Sequence, residues 1–278
     1  MKIGLLFPIT ENIIPGQSDI DKLNQLSGKF IDSLWFRDLP VTINDEGSWV
    51  DPVAYIPYLS EKLEDKNILF GISVFNTSFR MVETILKSSL SLQYLTNNRF
   101  ILGLGSGEVL EAFNLVQKEW DNRNQNLSKA LKTLNSYWNL GTNRINNIHQ
   151  YISIPDNFQL PPIGIASSKK EILKEKELYQ EVFTHVKSSK DISELKKLIG
   201  AEKKINMLLN LKIDESVITP VYKEINKLSV LFINSIDFKN YIELYEAAGV
   251  NRIILHNPHS EELSKIIDTL KHINICFC

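Results

Sequence analysis

Eight short segments of this sequence are apolar on both faces, and that repetition limits the fold more than any other feature. They read KIGLLFP (2–8), DSLWFRD (32–38), NILFGISVF (67–75), RFILGLG (99–105), PPIGIAS (161–167), EVFTHV (181–186), INMLLNL (205–211) and NRIILH (251–256). A strand that does not alternate apolar with polar is covered on both sides, as in a parallel sheet. Helical patterns separate many of them. Ile20, Leu23, Leu26 and Phe30 follow the first strand, with Ser18 or Asp19 as the cap; Asp51 and Pro52 open DPVAYIPYLSEKL. Residues 79–95 carry Val82, Ile85, Leu86, Leu90 and Leu92 at helical spacing. KKEILKEKELYQ, DISELKKLI and DFKNYIELYEAAG read as later helices, the last stopped by Gly249, and SEELSKIIDTLKHI as a closing one behind Ser260. Eight such units in 278 residues predict an α/β chain, a (β/α)8 TIM barrel in one domain over 1–278. A doubly wound open sheet is the competing arrangement. The stretch 141–160 reads as the longest irregular loop.

The formal charge of −2 gives no field to gather nucleic acid or an acidic membrane. No apolar run reaches the roughly 20 residues that span a bilayer. The opening MKIGLLFPI lacks a small-residue cleavage site and reads as a strand. Cys276 and Cys278 lie too close for an easy disulfide, so a reduced tail and a cytoplasmic chain are expected.

In such a barrel, chemistry gathers where strands end at the C-terminal face. Those ends supply Arg37 and Asp38; Ser73, Val74 and Asn76, with Arg80 beyond; Gly105, Ser106 and Gly107; Ser167, Ser168 and Lys169; and His256 and Asn257. Arg37 and Asp38 form either a surface ion pair or a charged pair at the mouth. Arg80 stands near a helix start, where the dipole favours anions, so it is better placed if it meets one. ASSKKE gathers hydroxyls and a lysine at a helix start, which suits a phosphate as well as ordinary capping. Gly103, Gly105 and Gly107 alternate at the end of a buried strand, so something approaches that backbone closely: a ligand, a neighbouring strand or a tight turn. His256 and His259 have no third ligand fixed beside them, and no metal site is expected. Nucleophile-elbow, P-loop and dinucleotide fingerprints are missing from the sequence.

The segments LWFRDLPV, DPVAYIPYLSEKLEDKNILFGISVF and NNRFILGLGSGEVLEAFN resemble the luciferase-like flavin-dependent monooxygenase superfamily, in its luciferase-type oxidoreductase branch. The later PPIGIASSKKEI and FINSIDFKNYIELYEAAGVNRIIL are similar to its phosphate-side turn and final helix–strand unit. The resemblance implies a barrel holding FMN at its C-terminal mouth, reduced by a flavin reductase and reacting with oxygen on a small organic substrate. Related branches use a deazaflavin instead. By the same resemblance the glycines leave room for the flavin ring, and Ser73–Val74 is the site of a non-prolyl cis peptide. Ser167, Ser168 and Lys169 face the phosphate; Asn76, Gly105, Ser106 and Arg80 line the cofactor. Arg37 meets developing negative charge, Asp38 orients it, and His256 is a candidate catalytic group. A homodimer through helices of the first half is a further implication. Departures are Met81-Val82 after Arg80, Asn114 after the AF pair, the charged KEKELYQEVFTHV, and a short or missing lid between strands seven and eight. They raise the alternative of a catalytically silent flavin-binding barrel.

Overall fold

Each apolar segment forms a strand, and the order of the strands closes a barrel. The computed structural model describes residues 1–7, 17–38, 50–139, 158–225, 228–256 and 270. The strands are β1 (Lys2–Leu6), β2 (Ser33–Phe36), β3 (Leu69–Asn76), β4 (Phe100–Gly105), β5 (Ile163–Ala166), β6 (Glu181–His185), β7 (Lys204–Ile213), β8 (Val221–Ile225), β9 (Leu228–Ile233) and β10 (Arg252–His256). The helices are α1 (Gln17–Leu26), α2 (Pro52–Lys62), α3 (Val82–Leu95), α4 (Leu110–Leu115), α5 (Arg123–Asn139), α6 (Lys170–Leu173), α7 (Ser189–Ile199) and α8 (Ser235–Ala248). Strands β1 to β7 pair in order, and β10 pairs in parallel with both β1 and β7. The result is a closed (β/α)8 TIM barrel of eight parallel strands. No described helix is long and apolar enough to cross a membrane.

Local chemistry explains the helix ends. Asp51 accepts the Val53 amide at 2.8 Å, with Pro52 in the first turn. Asn234 accepts the Asp237 amide at 2.8 Å to start α8, and Gly249, at φ 105°, ends it. Helix α1 starts at Gln17, which puts Ser18 and Asp19 inside its first turn instead of before it. The expected long helix in KKEILKEKELYQ is only the four residues of α6 and a 3-10 turn, Lys176–Leu178. That run lacks an apolar stripe: Ile172 and Leu173 alone turn inward from α6. The closing helix, Asn257, His259, both cysteines and residues 141–157 of the expected loop lie outside the described residues.

Two apolar clusters arise from the two faces of the strands. The larger, between strands and helices, includes Leu5, Leu34, Phe36, Phe70, Ile72 and Leu102 with Leu23, Ile56, Leu59 and Ile85. The smaller fills the barrel: Leu6, Trp35, Ile101, Phe183 and Ile254. Trp35 and Phe183 meet edge to face with centroids 5.2 Å apart. Such volume inside eight strands requires small neighbours. A Cβ on Gly4 would lie 2.6 Å from Trp35 Nε1, one on Gly71 2.2 Å from Trp35 Cζ3, and one on Gly164 2.3 Å from Phe183 Cε2. On Gly103 it would lie 2.1 Å from the Ile72 carbonyl oxygen. The neighbouring strand and the aromatic pair account for these glycines.

The N-terminal end of the barrel is sealed by charge. Arg252 reaches Asp32 through Nη2 at 2.7 Å and Nε at 3.0 Å, and gives Nη1 to Asn206 Oδ1 at 2.8 Å. Asn206 donates to Glu181 Oε2 at 2.7 Å, and Lys204 Nζ lies 3.4 Å from Glu181 Oε1. Ser33 donates to Asp32 at 2.7 Å and accepts from Trp35 Nε1 at 2.8 Å, which ties the plug to the aromatic centre.

Between the barrel strands β7 and β10 the chain carries one short hairpin and α8. Strand β7 continues past the wall, and Leu211–Ile213 pair in parallel with Leu231–Ile233 of β9, while β8 runs antiparallel to β9. This hairpin is no part of the expected strand order: β8 is exposed along most of its length and carries no apolar period.

Candidate active site at the C-terminal mouth

The mouth has an apolar floor. Val74, Ala166 and Leu208 are partly buried and rest on the inner cluster of Leu6, Trp35, Ile101, Phe183 and Ile254. The Ser73–Val74 peptide is cis, and the pairing of β3 with β4 shifts register between Ile72 and Phe75. A Cβ on Gly105 would lie 2.3 Å from Val74 Cγ2 and 3.7 Å from Ala166 Cβ. Gly105 thus lets Val74 lie beside Ala166. Gly107 has φ 83°, and a Cβ there would lie 2.4 Å from Asn76 Nδ2 and 2.8 Å from Phe113. This corrects the expectation that bare β4 backbone leaves space for a ring. The space beside each of the three glycines is taken by the protein's own atoms, and Val74 and Ala166 are the partly exposed side chains there.

Charged pairs stand around this floor. Arg80 donates to both Asp38 oxygens, Nε at 2.8 Å and Nη2 at 2.6 Å, and Nη2 reaches Asp51 at 3.0 Å. Its guanidinium lies 5.0 Å from the centroid of Phe75. The cation before α3 therefore meets two carboxylates, one of them also the cap of α2. Burial pushes the Asp38 carboxyl above its ordinary range, and the hydrogen bonds and charge of Arg80 pull the other way. The described contacts of Asp38 run to Arg80, across 42 residues of chain. Pairing across 42 residues cannot be read from adjacency in the chain. Asn76 folds back on its own turn, its Oδ1 accepting the Ser78 amide at 2.9 Å.

Two further pairs were missed by the sequence reading. Glu108, after β4, meets His185 Nε2, at the end of β6, at 3.1 Å. That hydrogen bond first, then the charges of His185 and Arg37, hold the carboxyl of the exposed Glu108 below its ordinary range. Asn210 on β7 sits directly beside His256 on β10, with Oδ1 2.8 Å from Nδ1. The available signal was register: Asn206 and Asn210 are polar residues in an otherwise apolar strand, opposite Arg252 and His256. Across the mouth, Ser167 Oγ accepts the Lys169 amide at 3.1 Å in a local turn, while Ser168 and Lys169 are exposed. Ser106 is half-buried at the end of β4.

Burial, with Arg37 as a lesser contributor, lowers the His256 pKa well below 6.5. Below about pH 6.5 the unfolded chain binds a proton that this native imidazole refuses. Stability contributed by this group is complete above that pH and falls on acidification, by up to about 1.4 kcal/mol per unit, until the native imidazole titrates. Urea melts from neutral to mildly acid pH are expected to show a shallower loss for His256→Gln than for the parent chain. Equal slopes would contradict the buried neutral state.

No protein-family model matches the chain. Over 115 residues, 39% of this chain, it is 29% identical to an F420-dependent glucose-6-phosphate dehydrogenase of Amycolatopsis mediterranei (strain U-32). That match spans 33% of the curated relative's length. Among solved structures, an F420-dependent secondary alcohol dehydrogenase in complex with an F420-acetone adduct has a TM-score of 0.71 at 13% identity, over 98% of this chain and 97% of that one. The oxygenating constituent of 3,6-diketocamphane monooxygenase from Pseudomonas putida, in complex with FMN, has a TM-score of 0.69 at 12% identity, over 99% and 97%. The fold of this chain is the one these two solved structures share.

Proposed function

We propose that this chain is a luciferase-like oxidoreductase that holds a flavin-type cofactor, FMN in the leading reading, across its C-terminal mouth and acts on a small organic substrate beside it. The observation that carries the reading is the apolar floor of Val74 and Ala166 set among the polar and charged side chains of Arg37, Asp38–Arg80 and Glu108–His185. A flat aromatic ring fits an apolar surface of that kind, with polar groups at its edges to fix orientation. Ser167, Ser168 and Lys169 would receive the phosphate end through hydroxyls and one ammonium; the single turn of α6 adds little dipole. When bound, the cofactor supplies the electron-transfer chemistry, and the protein supplies placement and charge. Arg37 presents a positive charge toward the region of Glu108 and His256, where it would stabilise negative charge that develops on a ligand. Asp38 and Arg80 neutralise one another and hold the ends of β2 and β3 together, a positioning role.

A deazaflavin is the second reading, favoured by the similarity to an F420-dependent dehydrogenase. In the FMN reading a flavin reductase supplies reduced cofactor, and the working unit is a homodimer. Titrating FMN and coenzyme F420 separately into the protein, with quenching of cofactor fluorescence as the signal, decides between them. Saturable binding of FMN near about 10 μM, a free energy of roughly 7 kcal/mol, is the expected result. Preference for the deazaflavin would move the assignment to the second reading, and failure of both to bind would end it. Oxygen consumption with reductase then separates a monooxygenase from a silent flavin-binding barrel.

A further inference from the structure

Asn210 sits where the barrel wall meets the inserted hairpin. Its Nδ2 donates to the Ser229 carbonyl on β9 at 3.1 Å, which turns Oδ1 toward His256 Nδ1, 2.8 Å away. A carbonyl oxygen only accepts, so the proton of that bond belongs to Nδ1 of the histidine. Both side chains are buried, Asn210 and His256 at 8% exposure each. In that tautomer the lone pair is on Nε2, and no other group among the described residues hydrogen-bonds the imidazole. We infer that Asn210 is a positioning residue: anchored by the hairpin, it fixes His256 as the Nδ1–H tautomer and makes Nε2 a hydrogen-bond acceptor at the mouth.

The same strand pair repeats the device at the other end of the barrel. Four residues earlier, Asn206 Oδ1 accepts from Arg252 at 2.8 Å while its Nδ2 is held by Glu181. There the asparagine serves a cation in a closed plug. At the mouth it serves a neutral imidazole that has no second hydrogen-bond partner among the described residues. An imidazole so fixed selects a ligand group that donates, a hydroxyl or an N–H, and disfavours a bare carbonyl in the same place. This selection rests on the proposed function, since it assumes that a substrate or cofactor enters the mouth. The tautomer does not, because it is set by protein groups alone.

The test is long-range proton–nitrogen NMR of the full chain labelled with nitrogen-15 in histidine, without cofactor, near neutral pH. His256→Gln identifies the signals. The parent chain is expected to show a protonated Nδ1 and a pyridine-type Nε2 at His256; the opposite tautomer would overturn the inference. In Asn210→Leu the tautomer is expected to shift toward Nε2–H, and an unchanged pattern would deny Asn210 its role. Asn210→Asp, whose carboxylate also accepts, is expected to restore Nδ1–H and to hold a proton on the imidazole to higher pH than the parent. Should the leucine variant fail to fold, loss of the Nδ1–H signal in the aspartate variant would still count against the inference. Cofactor binding plays no part in these readouts, so they separate from any failure of the functional reading.

Discussion

Trp35→Ala is expected to lower the free energy of unfolding by about 3–5 kcal/mol, measured by urea or guanidinium melts. The indole is fully buried in the middle of the barrel, edge to face with Phe183, and its Nε1 is bonded to Ser33. The strands around it cannot collapse into the vacated space, because each is held by two neighbours in a closed sheet. The complementary experiment uses the glycines. Gly71→Ala places a methyl 2.2 Å from the Trp35 ring and is expected to destabilise by about 1–3 kcal/mol or more. In a Trp35→Leu background much of that penalty should vanish, giving a coupling energy well outside experimental error. An alanine at 71 that costs the same in both backgrounds would show that the indole does not set the glycine.

Arg252→Met is the second large effect, a loss of about 3–5 kcal/mol. Removing the guanidinium leaves Glu181, at 1% exposure, and the half-buried Asp32 without their shared cation. Most of the loss comes from leaving those carboxylates with only the exposed Lys204 and Lys2 as nearby cations among the described residues, and not from the worth of the ion pair itself. Adding Asp32→Asn and Glu181→Gln to Arg252→Met is therefore expected to recover stability. A triple variant less stable than the single one would contradict that account.

These two regions show what the chain made legible. All eight barrel strands were readable because strands covered on both faces are mostly apolar without alternation, and the caps at Asp51 and Gly249 were readable because their chemistry is local. Helix α5 was missed although Leu127, Ala130, Leu131 and Leu134 form a stripe, and all four are buried. Of the inserted hairpin, β8 left little trace, since an exposed antiparallel edge needs no apolar pattern, whereas β9 is an apolar, buried run that was overlooked. At the mouth, chain position identified the strand ends but not the partners. Arg37 and Asp38 are adjacent in sequence, yet Asp38 is gripped by Arg80 from the next strand unit. Glycine was the most ambiguous signal. Close approach was correctly implied at Gly103 and Gly105, and a carbonyl and a valine approach them where a ring was expected.

The central claim is that a flavin-type ring lies on Val74 and Ala166. Repeating the cofactor titration on Ala166→Phe, which raises a side chain from a partly exposed position in that floor, addresses it most directly. The account predicts at least about tenfold weaker binding, roughly 1.4 kcal/mol, with an unchanged melting temperature. Undiminished affinity in a folded variant would place the cofactor elsewhere and contradict the account.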